Sequence, residues 1–245
     1  FSSLIEGRVT LDDASQIVLV GTIIVLMSLF LSFFLIKIAK KDFAIFLNPL
    51  VFPNTANLGL PIVLFAFGEE VFDYAIIFTT VVFFFHCTIG IFIIHGGRKL
   101  GEIFKVPLIY AVVLAIFLNK TGVEINTEIN NSIKLLGTTC IPLMMFSLGH
   151  KLSETRIVDF KEDFIVGVAR FVMGITVSLI ICKFFQVGSH LAKVLIVQYA
   201  MPSAVFNFIL ADRYNKSPEK IASIVFVSTI ISILVIPIVL YQFMN

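Results

Sequence analysis

A chain of 245 residues that is 58% hydrophobic and only 14% charged, with mean hydropathy +1.03, belongs in a bilayer. A soluble domain carries charge on about a quarter of its residues. The formal net charge of +2 supplies no electrostatic footprint for a nucleic-acid partner. Cys87, Cys140 and Cys182 lie far apart in apolar runs without metal-ligand spacing, so they read as small core hydrophobes; no metal, cofactor or disulfide is expected.

In chain order, the opening run Phe1-Ser2-Ser3-Leu4-Ile5-Glu6-Gly7-Arg8 lacks the features of a signal peptide and reads as a loop entered partway through a longer protein. Asp12 and Asp13 follow as candidate N-caps for the first helix. A spanning helix needs about 20 apolar residues. Eight segments meet or approach that length: 16–36, 43–67, 71–94, 103–118, 129–148, 164–184, 191–210 and 221–243. The connections are short and carry most of the charge. Alternate loops place twelve Lys and Arg on one face against five on the other. The positive-inside rule makes the richer face cytoplasmic and both ends of the chain extracytoplasmic.

Two segments are interrupted. Segment 43–67 contains Phe52-Pro53-Asn54-Thr55-Ala56-Asn57-Leu58-Gly59-Leu60-Pro61, and segment 191–210 contains Met201-Pro202-Ser203-Ala204-Val205-Phe206-Asn207. Pro53, Pro61 and Pro202 each lack an N–H and clash with the preceding turn, so both helices are expected to open there, onto a wet or polar interior. Asn54, Thr55, Asn57, Ser203 and Asn207 can donate and accept hydrogen bonds, and Gly59 permits close approach. New helix N-termini at such breaks expose N–H groups that suit a carboxylate. The plainer alternative is a proline kink whose side chains satisfy their own backbone.

Aligning Pro53 with Pro202 also brings Thr80 onto Thr229 and Val81 onto Ile230. The two interrupted helices are an odd number of spans apart and therefore run in opposite directions, the layout of an inverted repeat in a secondary transporter. Arg170, with Asp163 two turns before it near one face, is either functional or snorkels to the cytoplasmic interface. His86 lies deep in its segment, where proton coupling and an interhelical hydrogen bond are the alternatives. No nucleophile with a base, H-E-x-x-H or G-x-x-x-x-G-K-[ST] motif occurs, which disfavours an enzyme or ATP-driven pump in this chain alone.

The stretch Pro53-Asn54-Thr55 with Leu58-Gly59-Leu60-Pro61 resembles the P-N-T-x-x-x-G-[IL]-P signature of the auxin efflux carrier family. Met145-Phe146-Ser147-Leu148-Gly149, Val168-Ala169-Arg170-Phe171 and Ala200-Met201-Pro202-Ser203-Ala204 resemble that family's later segments in the same order. The resemblance implies an all-α polytopic protein of ten spans in two inverted five-helix repeats, of which this chain holds eight and lacks the first two. It implies a transport domain formed by residues 1–97 and 160–245, scaffold helices within 102–151, and elevator-like movement of an organic anion across the plasma membrane.

Two departures from plant members separate this chain from auxin itself. Asp13 is present but Ile17 stands where a lysine is expected, and no long cytoplasmic loop follows segment 71–94. The short microbial branch, associated with malate and malonate, is the nearer match. Asn54, Thr55, Asn57, Ser203 and Asn207 are the expected substrate contacts, with Pro53, Gly59, Pro61 and Pro202 shaping the crossover and His86 and Arg170 in coupling or structural roles. Proton or sodium coupling and a homodimer are further expectations. A sodium-coupled carrier of the bile-acid symporter type and a non-transporting membrane sensor are the alternatives.

Overall fold

The computed structural model describes residues 9–95, the positions 110, 111, 114, 118 and 121, and residues 126–244, so the expected span 103–118 falls largely outside the described residues. The described chain is almost all helix. In order, the helices are α1 (Leu11–Ile38), α2 (Phe43–Val51), α3 (Leu60–Phe67), α4 (Phe72–Phe85), α5 (Ile91–Ile94), α6 (Thr127–Glu154), α7 (Phe160–Phe184), α8 (Ser189–Tyr199), α9 (Val205–Arg213) and α10 (Pro218–Met244). Two π-helical turns join α2 to α3 (Thr55–Gly59) and α4 to α5 (His86–Gly90).

Among the described residues, four helical stretches are long and apolar enough to cross a membrane: Asp12–Ile38, Phe72–Ile94, Phe160–Phe184 and Pro218–Phe243. The 28 residues of α1 rise about 42 Å, ample for a hydrocarbon core of about 30 Å. Outward-facing Leu19, Phe30, Val172, Phe184, Ile233 and Leu234 are exposed, as a lipid-facing surface requires. The sixth helix is equally long but less apolar.

Local chemistry sets the helix ends. Thr10, not Asp12 or Asp13, caps α1, its hydroxyl accepting from the Asp13 N–H at 3.1 Å. The two aspartates lie in the first turn, where their charge complements the positive end of the helix dipole. Asp42 and Asp159 cap α2 and α7 in the same way as Thr10.

The core is centred on α7, which packs against α1, α2, α8 and α10. Gly167 lets α7 approach α10 closely: a Cβ there would lie 2.8 Å from Ile231 Cδ1 and 3.4 Å from Ser228 Cα. Cys182 is a buried free thiol within this packing, and Cys87 is another in a separate cluster with Ile91, Val205 and Val225.

At the end of the bundle where α2, α7 and α10 begin, charge is concentrated in one network. Glu162 takes Lys41 at 2.5 Å and Lys220 at 2.6 Å, and Lys220 also meets the fully buried Asp163 at 2.7 Å. The Ser223 hydroxyl donates to Asp163 and accepts from the Val158 N–H. The carboxylate that the sequence places near Arg170 is thus held by Lys220 and Ser223.

Candidate functional site at the crossing of two interrupted helices

Both interruptions form, and they meet. Helix α2 stops at Val51 and α8 at Tyr199; the extended residues that follow lie antiparallel, with Pro53 opposite Ser203. The Asn54 N–H donates to Pro202 O at 2.7 Å and the Ala204 N–H to Phe52 O at 3.0 Å. Pro53 sits at the position between these bonds, where an antiparallel pair needs no donor, so its missing N–H leaves nothing unsatisfied. Ser203, its opposite number, turns its N–H to Ser228 Oγ at 3.2 Å.

The break is enclosed among buried polar side chains, Asn54, Thr55, Gln198, Ser203 and Asn207. Phe52, Pro53, Asn54, Thr55, Met201, Pro202, Ser203 and Ala204 are all buried, and the two breaks satisfy much of each other's backbone. Pro61 is the second residue of α3, directly after the π turn and within the continuous helical stretch Thr55–Phe67.

Chain reversal differs on the two sides. After Asn54 the chain enters a π turn, with the Gly59 N–H returning to Asn54 O at 3.0 Å. Turns of this kind often mark functional sites in helices. After Ala204 the chain goes straight into α9, and Asn207 Nδ2 donates to Ser203 Oγ at 2.9 Å.

Arg170 does not snorkel. It is fully buried on α7 and donates through Nη1 to Leu50 O at 3.0 Å and through Nη2 to Tyr199 O. Its guanidinium lies 4.6 Å from the centroid of the Tyr199 ring, whose hydroxyl donates to Val51 O at 3.0 Å. The carbonyls that helix geometry leaves open at the ends of α2 and α8 are closed by these two side chains.

Several buried polar atoms around the crossing have no partner. They include Asn54 Nδ2 and both amide atoms of Gln198. Gln198 is fully buried, and a Cβ on Gly59 would fall 2.1 Å from its Oε1, so the bare glycine backbone lets this side chain lie against the π turn. Thr55 is buried; Asn57 is half-buried in the π turn, against which α6 also packs.

His86 is held by rings. It stacks on Phe52 at 4.2 Å between centroids, with the planes 7° apart, and meets Phe206 edge-on at 5.1 Å. The Asn207 side chain faces it. Its neighbour Asn48, unremarked in the sequence reading, ties α2 to the second π turn through Nδ2 to Gly90 O at 3.0 Å.

Asn48 and Gln198 share one signal that could have found them: each is a carboxamide inside an apolar run next to an interruption. A cavity of about 490 Å³ lies away from these atoms, between α1, α2 and α7, walled by Leu35, Phe46 and Val166 and rimmed by Lys41 and Glu162. It reaches Leu50 at the end of α2 but not the unpartnered carboxamides.

Two interrupted helices meeting end to end inside an apolar helical bundle define a membrane protein of the transporter class. The chain belongs to the membrane transport protein family, that of the auxin efflux carriers, whose model matches residues 8–103 and 97–240. It is 30% identical over 195 residues to an uncharacterized transporter of Methanocaldococcus jannaschii, an alignment covering 75% of this chain and 63% of that protein. It is 32% identical over 107 residues to auxin efflux carrier component 8 of Arabidopsis thaliana, covering 42% and 29% respectively. A probable auxin efflux carrier component 5b of Oryza sativa subsp. japonica is 28% identical over 134 residues, covering 52% of this chain and 36% of that one. The chain thus spans 63% of the length of the archaeal relative.

Proposed function

We propose that the protein is a secondary transporter of a small organic anion, a malate-, malonate- or auxin-like carboxylate, bound at the crossing. The observation that carries this reading is the buried, unpartnered Nδ2 of Asn54 at the point where a new helix begins. A second helix begins at Val205, and neither 52–61 nor 200–207 contains an acidic residue to repel an anion. Helix N-termini and amide donors together suit a carboxylate. Gln198 joins Asn54 as a donor, while Ser203 and Asn207 hold the opposite strand and Thr55 and Asn57 shape the turn.

In this reading the chain contributes eight spans of a ten-helix inverted repeat in the plasma membrane. The segments 1–97 and 160–245 form the moving transport domain and 102–151 the scaffold, with the lysine-rich face cytoplasmic. A scaffold-mediated homodimer and elevator-like exchange complete the scheme.

Uptake of radiolabelled malate, malonate and indole-3-acetate into vesicles containing the reconstituted chain tests it, with proton and sodium gradients imposed in turn to identify coupling. Saturable uptake that is lost in Asn54→Ala is expected. Wild-type uptake by Asn54→Ala would remove the site assignment. Binding without uptake would favour a sensor, and an absolute sodium requirement would favour the bile-acid symporter type.

A further inference from the structure

We propose that Arg170 sets the charge preference of the crossing from behind, without touching the ligand. The proposal rests on the anion reading above and adds the residue that makes such a site anion-selective. Its starting point is an imbalance: Arg170 is fully buried, yet its hydrogen bonds run to two backbone carbonyls, Leu50 O and Tyr199 O, and to no carboxylate. Asp163, on the same helix, is taken by Lys220 and Ser223. A buried cation ordinarily needs an anionic partner.

The partner here is a pair of helix ends. Leu50 belongs to the last turn of α2 and Tyr199 is the last residue of α8. The C-terminus of a helix carries the equivalent of about half a negative charge, so two such ends amount to about one, matched by one guanidinium. The same arithmetic applies on the other side of the crossing. The helices that begin at Thr55 and Val205 each present about half a positive charge, together enough for one carboxylate.

Without Arg170, four helix ends of opposite sign would meet around the crossing and largely cancel. With it, the negative pair is neutralised and the positive pair remains. Space for the guanidinium is built in by Gly174, one turn further along α7. A Cβ there would fall 2.5 Å from Tyr199 O, 3.1 Å from Arg170 Nη2 and 3.3 Å from Cζ. The Tyr199 ring covers the guanidinium face, and its hydroxyl closes the neighbouring carbonyl of Val51.

The experiment compares affinity for a carboxylate with affinity for its neutral amide on the purified full chain in detergent. The pair used is the tightest-binding of malonate, malate and indole-3-acetate, each matched with its own amide. Wild type is expected to prefer the acid, and Arg170→Gln, which keeps a donor but loses the charge, to lower the acid-to-amide ratio by about tenfold. Arg170→Lys should keep the ratio within about threefold, because the charge is retained even though the two-carbonyl geometry is not. A role confined to folding would lower the melting temperature and weaken acid and amide alike.

An unchanged ratio in folded Arg170→Gln overturns the proposal while leaving the anion site standing. No preference for the acid in wild type overturns the anion reading itself. If Arg170→Gln does not fold, Arg170→Met decides, because it removes the charge without burying an unpaired polar head. A severalfold fall in the ratio supports the assignment, and an unchanged ratio overturns it.

Discussion

Helix α2–α3 reopens at Asn54 through a π turn and leaves Asn54 Nδ2 without a partner, whereas at the α8–α9 break Asn207 Nδ2 bonds Ser203 and the Ser203 N–H bonds Ser228 on α10. Both breaks start from the same residue types, a proline followed by small polar side chains. The difference teaches that an interruption can be spent either on holding the crossing together or on leaving donors free for something else. The first break keeps donors available; the second is structural, apart from Gln198, which α8 places against Gly59.

The sharpest way to break this comparison is Asn54→Ala. A hydrogen bond to a charged group contributes about 1.5–3 kcal/mol, so carboxylate affinity should fall by about 10- to 100-fold. The melting temperature should hardly move, because Nδ2 bonds nothing in the fold. Isothermal titration and a thermal melt on the same sample measure both.

Ser228→Ala should do the converse. It orphans the buried Ser203 N–H, and denaturation should register a loss of about 1–3 kcal/mol with little change in affinity. Asn207→Ala, which removes one buried hydrogen bond within the second break, should cost about 1 kcal/mol by the same assay. If Asn207→Ala instead abolished binding while Asn54→Ala did not, the roles of the two breaks would be exchanged.

The smallest effect is expected at Gln198. Replacing its two unpartnered buried amide atoms in Gln198→Met should leave stability unchanged or raise it by up to about 1 kcal/mol. A simultaneous loss of affinity would place the side chain at the ligand. Higher stability with unchanged affinity would confine binding to the Asn54 side.

The interruptions were legible because proline removes a hydrogen-bond donor whatever surrounds it, and the spans were legible because hydrocarbon demands long apolar runs. The partners were not. Arg170 bonds to backbone carbonyls, which every residue has, so nothing in the sequence marks Leu50 and Tyr199 as its acceptors. Asp163 finds Lys220 across 57 positions because α7 and α10 begin side by side, a tertiary fact that overrides its nearness to Arg170 along the helix.

The two prolines of the crossing also work as a key. Pro53 is silent only because it stands between the cross-strand bonds, and the Pro202 carbonyl is the acceptor for Asn54. Sliding either strand by one residue would move Pro53 to a position that calls for a donor and would take Pro202 O away from Asn54. The joint therefore fits in one register and cannot creep. In the elevator-like exchange proposed above, both interrupted helices would travel as one body, and a ligand seated there would keep the same contacts throughout the journey.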